Sequence, residues 1–114
     1  MTTLYGIKNC DTVKKARKWL DDNNIDYVFH DFRVDGLSNE LLSDLAKKSD
    51  WHSLVNKRST TFRNLPDDVK SNLTDEVAFS TVLEQPTLLK RPLLLINDDL
   101  HLGFKAPHYQ EIFS

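Results

Sequence analysis

The chain carries a single cysteine, Cys10, set in Lys8-Asn9-Cys10-Asp11-Thr12. It stands where a short apolar run, Leu4-Tyr5-Gly6-Ile7, gives way to a helical pattern that begins at Thr12. A helix N-terminus presents unpaired N–H groups and about half a positive charge, a setting that favours a thiolate, the nucleophilic form of the side chain. Lys8, Lys14 and Lys15 add positive potential close by. A cysteine used as inert filling belongs inside an apolar run, whereas Cys10 lies between Asn9 and Asp11. The chemistry expected is attack by sulfur. With no second cysteine, an internal disulfide, a cysteine zinc site and a self-contained dithiol centre are excluded.

Arg58, Arg63, Arg91 and Lys105 are the candidate anion binders, since a guanidinium offers a planar fork of donors to an oxyanion or carboxylate. Each taken singly also reads as a solvated surface charge. Arg91 stands apart because it directly precedes Pro92 at the start of an apolar run, where the proline constrains the backbone that carries it. His30, His52, His101 and His108 lack metal-ligand spacing, and three glycines are too few for a glycine-rich phosphate loop. No serine-nucleophile motif or catalytic carboxylate pair stands out, and Asp98 and Asp99 read as turn residues.

The elements that must position these groups follow from the pattern of the 114 residues. Leu4–Ile7 reads as a buried strand. Val13, Ala16 and Leu20, at i, i+3 and i+7 with Trp19 beside them, make the apolar stripe of a helix capped by Asn9 or Asp11 and ended by Asp22-Asn23-Asn24. The run Tyr27–Phe32 is a second strand. Ser38 caps a further helix with Leu41, Leu42, Leu45 and Ala46 on its stripe. The stretch from Trp51 to Leu65 reads as irregular, followed by short helices at Pro66–Leu73 and Thr74–Glu84 and a stop at Gln85-Pro86. Leu93–Ile96, a turn at Asn97-Asp98-Asp99 and Leu100–Gly103 form a hairpin, and Pro107 opens a last helix that buries Tyr109, Ile112 and Phe113. A strand–helix–strand start implies a parallel pair and the hairpin adds antiparallel partners. The reading is an α/β domain, a small mixed four-stranded sheet flanked by helices, with a helical insertion at roughly 38–85.

Composition narrows the partners. The chain is 39% hydrophobic, enough for one core without a metal or disulfide staple. Fifteen basic against 17 acidic residues give a net charge of −2, so no overall positive field holds a nucleic-acid backbone or an anionic membrane. A free thiol and the absence of a signal-like start point to a reducing cytoplasm, and a monomer is expected.

At Gly6-Ile7-Lys8-Asn9-Cys10-Asp11-Thr12-Val13-Lys14-Lys15-Ala16 the sequence resembles the arsenate reductase (ArsC-like) family, in the branch of YffB-type proteins and Spx-type transcription regulators. Trp51–Arg63, Lys90-Arg91-Pro92-Leu93-Leu94 and Gly103-Phe104 carry the same resemblance in the same order. It implies a thioredoxin-like fold with a helical insertion, a cis Pro92 facing Cys10, and Cys10 as the nucleophile. Arg91 matches the arginine before the proline. Arg58 matches the middle basic position, with Lys57 and Arg63 as alternatives. Lys105 replaces the third arginine, keeping charge but not the bidentate fork, which counts against arsenate itself as substrate. Asn9, Thr12 and the first-turn amides complete the anion site. Many Spx-type relatives carry Cys-x-x-Cys, and here the fourth position is Val13. An adduct on Cys10 would then need an outside thiol, glutathione as co-substrate or a small redoxin, with no bound cofactor. The expected function is a glutathione-dependent monothiol reductase of disulfides or oxyanions. The alternative is a Spx-like adaptor that binds RNA polymerase.

Overall fold

The computed structural model describes residues 2–114, which divide into two compact units: residues up to Gly36 together with Arg91–Ser114, and Leu37–Lys90. The first unit contains β1 (Thr2–Gly6), α1 (Asp11–Asp22), β2 (Val28–Asp31), β3 (Leu93–Ile96), β4 (Asp99–Leu102) and α7 (Ala106–Ile112). Its strands form one sheet in the order β2-β1-β3-β4. β1 pairs with β2 in parallel, and with β3 antiparallel, and β3 with β4 antiparallel. This is the mixed sheet of a thioredoxin-like fold.

The stripe read from the sequence is the buried face of α1: Val13, Ala16 and Leu20 are fully buried. Ala16 and Leu20 join Leu4 of β1, Leu94 of β3 and Tyr109 of α7 in one core, with Trp19, Phe104 and Phe113 packed around it. Burying each of the leucines stabilises the unit by about 1.5–3 kcal/mol. Two glycine-scale details set its tightness. A methyl added at Gly6 would lie 2.7 Å from Val13 Cγ2, so glycine is what lets α1 approach β1 this closely. Asn97, with φ 54°, turns the hairpin in two residues, so that Ile96 pairs with Asp99.

The second unit is helical: α2 (Asn39–Lys47), α3 (Trp51–Leu54), α4 (Thr60–Arg63), α5 (Asp67–Ser71), α6 (Asp75–Glu84) and a 3₁₀ turn at Pro86–Leu88. Ser38 caps α2 by accepting from Leu41 N, and Thr74 caps α6 by accepting from Val77 N. A bridge between Val55 and Leu89, with Asn56 N–H donating to Leu88 O at 2.7 Å and Lys90 N–H to Leu54 O at 2.8 Å, ties the middle of this unit to its end.

Several sequence expectations need correction. The N-cap of α1 is Cys10 itself, not Asn9 or Asp11, and Asp11 is the first helical residue. The stretch from Trp51 to Leu65 is not irregular throughout, since two one-turn helices stand in it. Asp50 Oδ1 accepts from Ser53 N and Ser59 Oγ from Phe62 N, so a cap rather than an apolar period starts each. β4 starts at Asp99, which leaves Asn97-Asp98 as the turn, and α7 starts one residue before Pro107. On α7 only Tyr109 is buried, and Ile112 and Phe113 are partly covered. No helix of the described residues is long and apolar enough to cross a membrane.

Candidate active site

Strand register decides what stands near Cys10. Gly6 at the end of β1 pairs with Asp31 at the end of β2. Tyr5 pairs with Leu93 at the start of β3, and Leu93 pairs with Leu102 at the end of β4. One end of the sheet therefore gathers the loop Ile7–Cys10, the Arg91-Pro92 dipeptide and the segment Gly103–Lys105. The Arg91–Pro92 bond is cis, as the resemblance implies. Gly103 N–H donates to Pro92 O at 2.8 Å, which fastens the segment leading to Lys105 onto the proline. Lys105, exposed, caps α7. A cavity of about 480 Å³ lies beside it, lined by Leu102, Gly103, Phe104 and His108.

Cys10 is half-buried. Its N–H donates to Ile7 O at 3.1 Å and its carbonyl accepts from Lys14 N at 3.0 Å, which closes the first turn of α1. No side chain caps this helix. The amides of Asp11, Thr12 and Val13 are thus the first-turn donors without an intrahelical carbonyl, next to the sulfur-bearing residue. Such donors stabilise negative charge on sulfur or on an anion brought to it. Lys8, Asn9 and Lys14 are exposed around it, and Thr12 is half-buried. Val13, which stands at the second-cysteine position of Cys-x-x-Cys, is fully buried against Gly6.

Asp31 has no counterpart among the sequence candidates. It is buried, and its carboxylate accepts from Lys8 N at 3.1 Å and Arg33 N at 2.8 Å. It thereby holds the loop that leads into Cys10, a role signalled only by an acid at the end of an aromatic strand. Burial opposes its ionisation, but the N–H groups of Arg33, Lys8 and Val34 and the charge of Arg33 outweigh it and hold the carboxyl below the usual carboxylate range. A lowered carboxyl contributes stability at pH values above its unfolded value of 3.8 and loses it as pH falls through the folded value. Asp31→Asn is therefore expected to cost about 1–3 kcal/mol at neutral pH. The gap to the unaltered protein should close in acid, read from denaturation midpoints at several pH values. A gap that stays constant down to strong acid would contradict this role.

Arg58 lies in the helical unit, exposed, with its N–H donating to Asn56 Oδ1 at 3.1 Å; Lys57 and Arg63 are exposed in the same unit. Arg17, by contrast, is structural: its guanidinium sits 4.2 Å from the Phe29 ring centre. The tertiary structure brings His101 and His108 together, rings 5.4 Å apart. Burial, then the charge of His108, keep the His101 imidazole below its usual range against the pull of Asp99. Among the described residues no group of three or more His, Cys, Asp or Glu is placed to hold a metal.

A mixed sheet of thioredoxin-like fold, with the lone cysteine at the N-cap of the first helix and Arg91-Pro92 at the same sheet end, defines a single-cysteine domain of thioredoxin-like architecture. The ArsC family model matches residues 5–112, and the chain belongs to the ArsC family. A solved structure of a YffB protein superposes with a TM-score of 0.92 at 38% identity, covering 100% of both chains. An arsenate reductase (ArsC) related protein from Brucella melitensis superposes with a TM-score of 0.84 at 48% identity, over 99% of this chain and 94% of that one. The global transcriptional regulator Spx of Lactiplantibacillus plantarum is 28% identical over 106 residues, 91% of this chain and 80% of Spx.

Proposed function

We propose that the protein is a monothiol reductase that uses an external thiol, glutathione by preference, to complete its cycle. The observation that carries this reading is the position of its one cysteine, N-cap of α1 at the sheet end shared with Arg91, cis Pro92 and Lys105. In the first step the Cys10 thiolate attacks one sulfur of a disulfide. The S–S bond breaks, the other sulfur leaves as a thiolate, and a mixed disulfide forms on Cys10. In the second step a glutathione thiolate attacks the glutathione-side or substrate-side sulfur of that mixed disulfide and releases Cys10 as thiolate. Where that sulfur is glutathione's, the products are the reduced substrate and glutathione disulfide; where it is the substrate's, a second glutathione thiolate cleaves the resulting mixed disulfide, and in both cases Cys10 ends unchanged. Arg91, Lys105 and the first-turn amides hold the anionic part of substrate or glutathione, with Asn9 and Thr12 beside them. Reduction of an oxyanion starts from the same thiolate, which displaces one oxygen as water; one glutathione then takes the Cys10 sulfur as a mixed disulfide, leaving the oxyanion two electrons reduced, and a second frees Cys10 as glutathione disulfide forms, while lysine at position 105 disfavours arsenate.

Incubation with oxidised glutathione followed by intact-mass measurement tests the reading. A single glutathionyl adduct on Cys10, removed by reduced glutathione, is expected. Protein that stays unmodified while a small reagent disulfide does label Cys10 overturns the glutathione step. The similarity to Spx favours one second reading, an adaptor that contacts RNA polymerase. Equal retention of polymerase by the unaltered protein and by Cys10→Ser would favour it and demote the thiol.

A further inference from the structure

The helical unit carries a cavity of about 530 Å³ that the thiol chemistry leaves unused. Ala46 of α2, Trp51 of α3 and Phe79 of α6 line it, with Asp75, Glu76 and Lys47 as its charged residues. The Trp51 and Phe79 rings stand at 88° with centres 6.2 Å apart. The edge-to-face pair gives the cavity two aromatic walls, and cation–π attraction acts within roughly 6 Å of a ring centre. Both rings are half-buried, whereas Asp75 and Glu76 are exposed. Their place in the first turn of α6 suits the helix dipole, yet neither is in an ion pair among the described residues. Asp75 also borders a second cavity that holds Lys57 and Lys70, which leaves Glu76 as the carboxylate committed to this one.

Aromatic faces beside a carboxylate select a particular cation. An ammonium is a strongly hydrated point charge, whereas a guanidinium is planar, weakly hydrated and able to stack on a ring while its N–H edge reaches a carboxylate. We infer that the Trp51–Phe79 corner with Glu76 is a binding site for a guanidinium group, distinct from the Cys10 site. Lys47 lines the same cavity and is the cation of the chain that would compete for it. The group is borne either by a small metabolite or by an arginine of a polypeptide, and the chemistry at the corner is the same.

The test is a titration of the full chain with ethylguanidinium, followed by the Trp51 indole N–H signal in the nitrogen–proton NMR spectrum. Trp51→Phe assigns that signal against Trp19. Ethylurea, a planar neutral analogue, is the control. A saturable shift of Trp51 but not of Trp19, absent with ethylurea, is expected. Glu76→Gln should weaken binding about tenfold and Phe79→Leu by a similar factor, while Lys47→Ala strengthens it. Agmatine against a blocked Gly-Arg-Gly tripeptide then separates the two sources, tighter binding of either one identifying the bearer. No saturable shift, an equal shift with ethylurea, or unchanged affinity in Glu76→Gln overturns the proposal. Glu76 is exposed, so that variant keeps the test valid even where Phe79→Leu fails to fold.

Discussion

Cys10→Ser is expected to abolish turnover of a glutathione mixed disulfide while leaving the protein at least as stable as before. The loss follows from chemistry. Sulfur exchange needs a thiolate, a serine hydroxyl does not ionise near neutral pH and forms no disulfide, and the chain has no other sulfur nucleophile. The rate should fall to that of the uncatalysed exchange, and no glutathionyl adduct should form. The stability prediction follows from position. Cys10 is the N-cap of α1 and its side chain makes no capping bond. Serine is among the preferred N-cap residues, with an oxygen that accepts from the second or third amide of the helix, a contribution of about 0.5–2 kcal/mol. A raised denaturation midpoint together with lost turnover separates a chemical role from a structural one. Turnover that survives in Cys10→Ser would refute the monothiol mechanism outright.

Tyr109→Ala should be the most damaging single core change, at about 3–5 kcal/mol of a total stability of about 5–15 kcal/mol. Tyr109 is fully buried, and its ring meets Phe104 at 4.7 Å, Trp19 at 5.6 Å and Phe113 at 6.4 Å between centres. Removing it opens a hole that α1, β1, β3 and α7 border together, and three aromatic neighbours lose their edge-to-face partner. Its hydroxyl also donates to Gly103 O at 3.5 Å, the residue whose N–H reaches Pro92 O. Burial keeps the phenol well above its usual range, so it remains a neutral donor at working pH. Urea denaturation of Tyr109→Ala and Tyr109→Phe divides the effect: the phenylalanine variant keeps the packing and should lose about 1 kcal/mol. A loss as large for phenylalanine as for alanine would show that the hydroxyl, not the ring, carries the effect.

Much of this molecule is legible in order along the chain. Val13, Ala16 and Leu20 announce the buried face of α1, Ser38 and Thr74 announce their helices, and Leu93–Ile96 with Asn97-Asp98 announces a hairpin. These signals are short-range, a period of 3.6 residues or a hydroxyl three residues from an amide, and the chain reads them out locally. The helices α3 and α4 escape the same reading because one turn is too short to show a period, and only the Asp50 and Ser59 caps betray them. The placement of Cys10 before a helix is likewise local, and so its position is visible from sequence.

Its surroundings are not. Arg91 and Lys105 come to the end of the sheet that holds Cys10 through the pairs Tyr5↔Leu93 and Leu93↔Leu102, which join residues far apart in the chain. Asp31 reaches Lys8 across 23 positions, and the Trp51–Phe79 corner spans two helices. No local propensity encodes such pairs, because strand register and helix packing are chosen by the burial of the whole core. Sequence by itself determined that the one cysteine precedes the first helix and that the chain holds no second cysteine to pair with it. Only the tertiary structure decided which charges, amides and carboxylates stand with it, since those neighbours are selected by long-range packing.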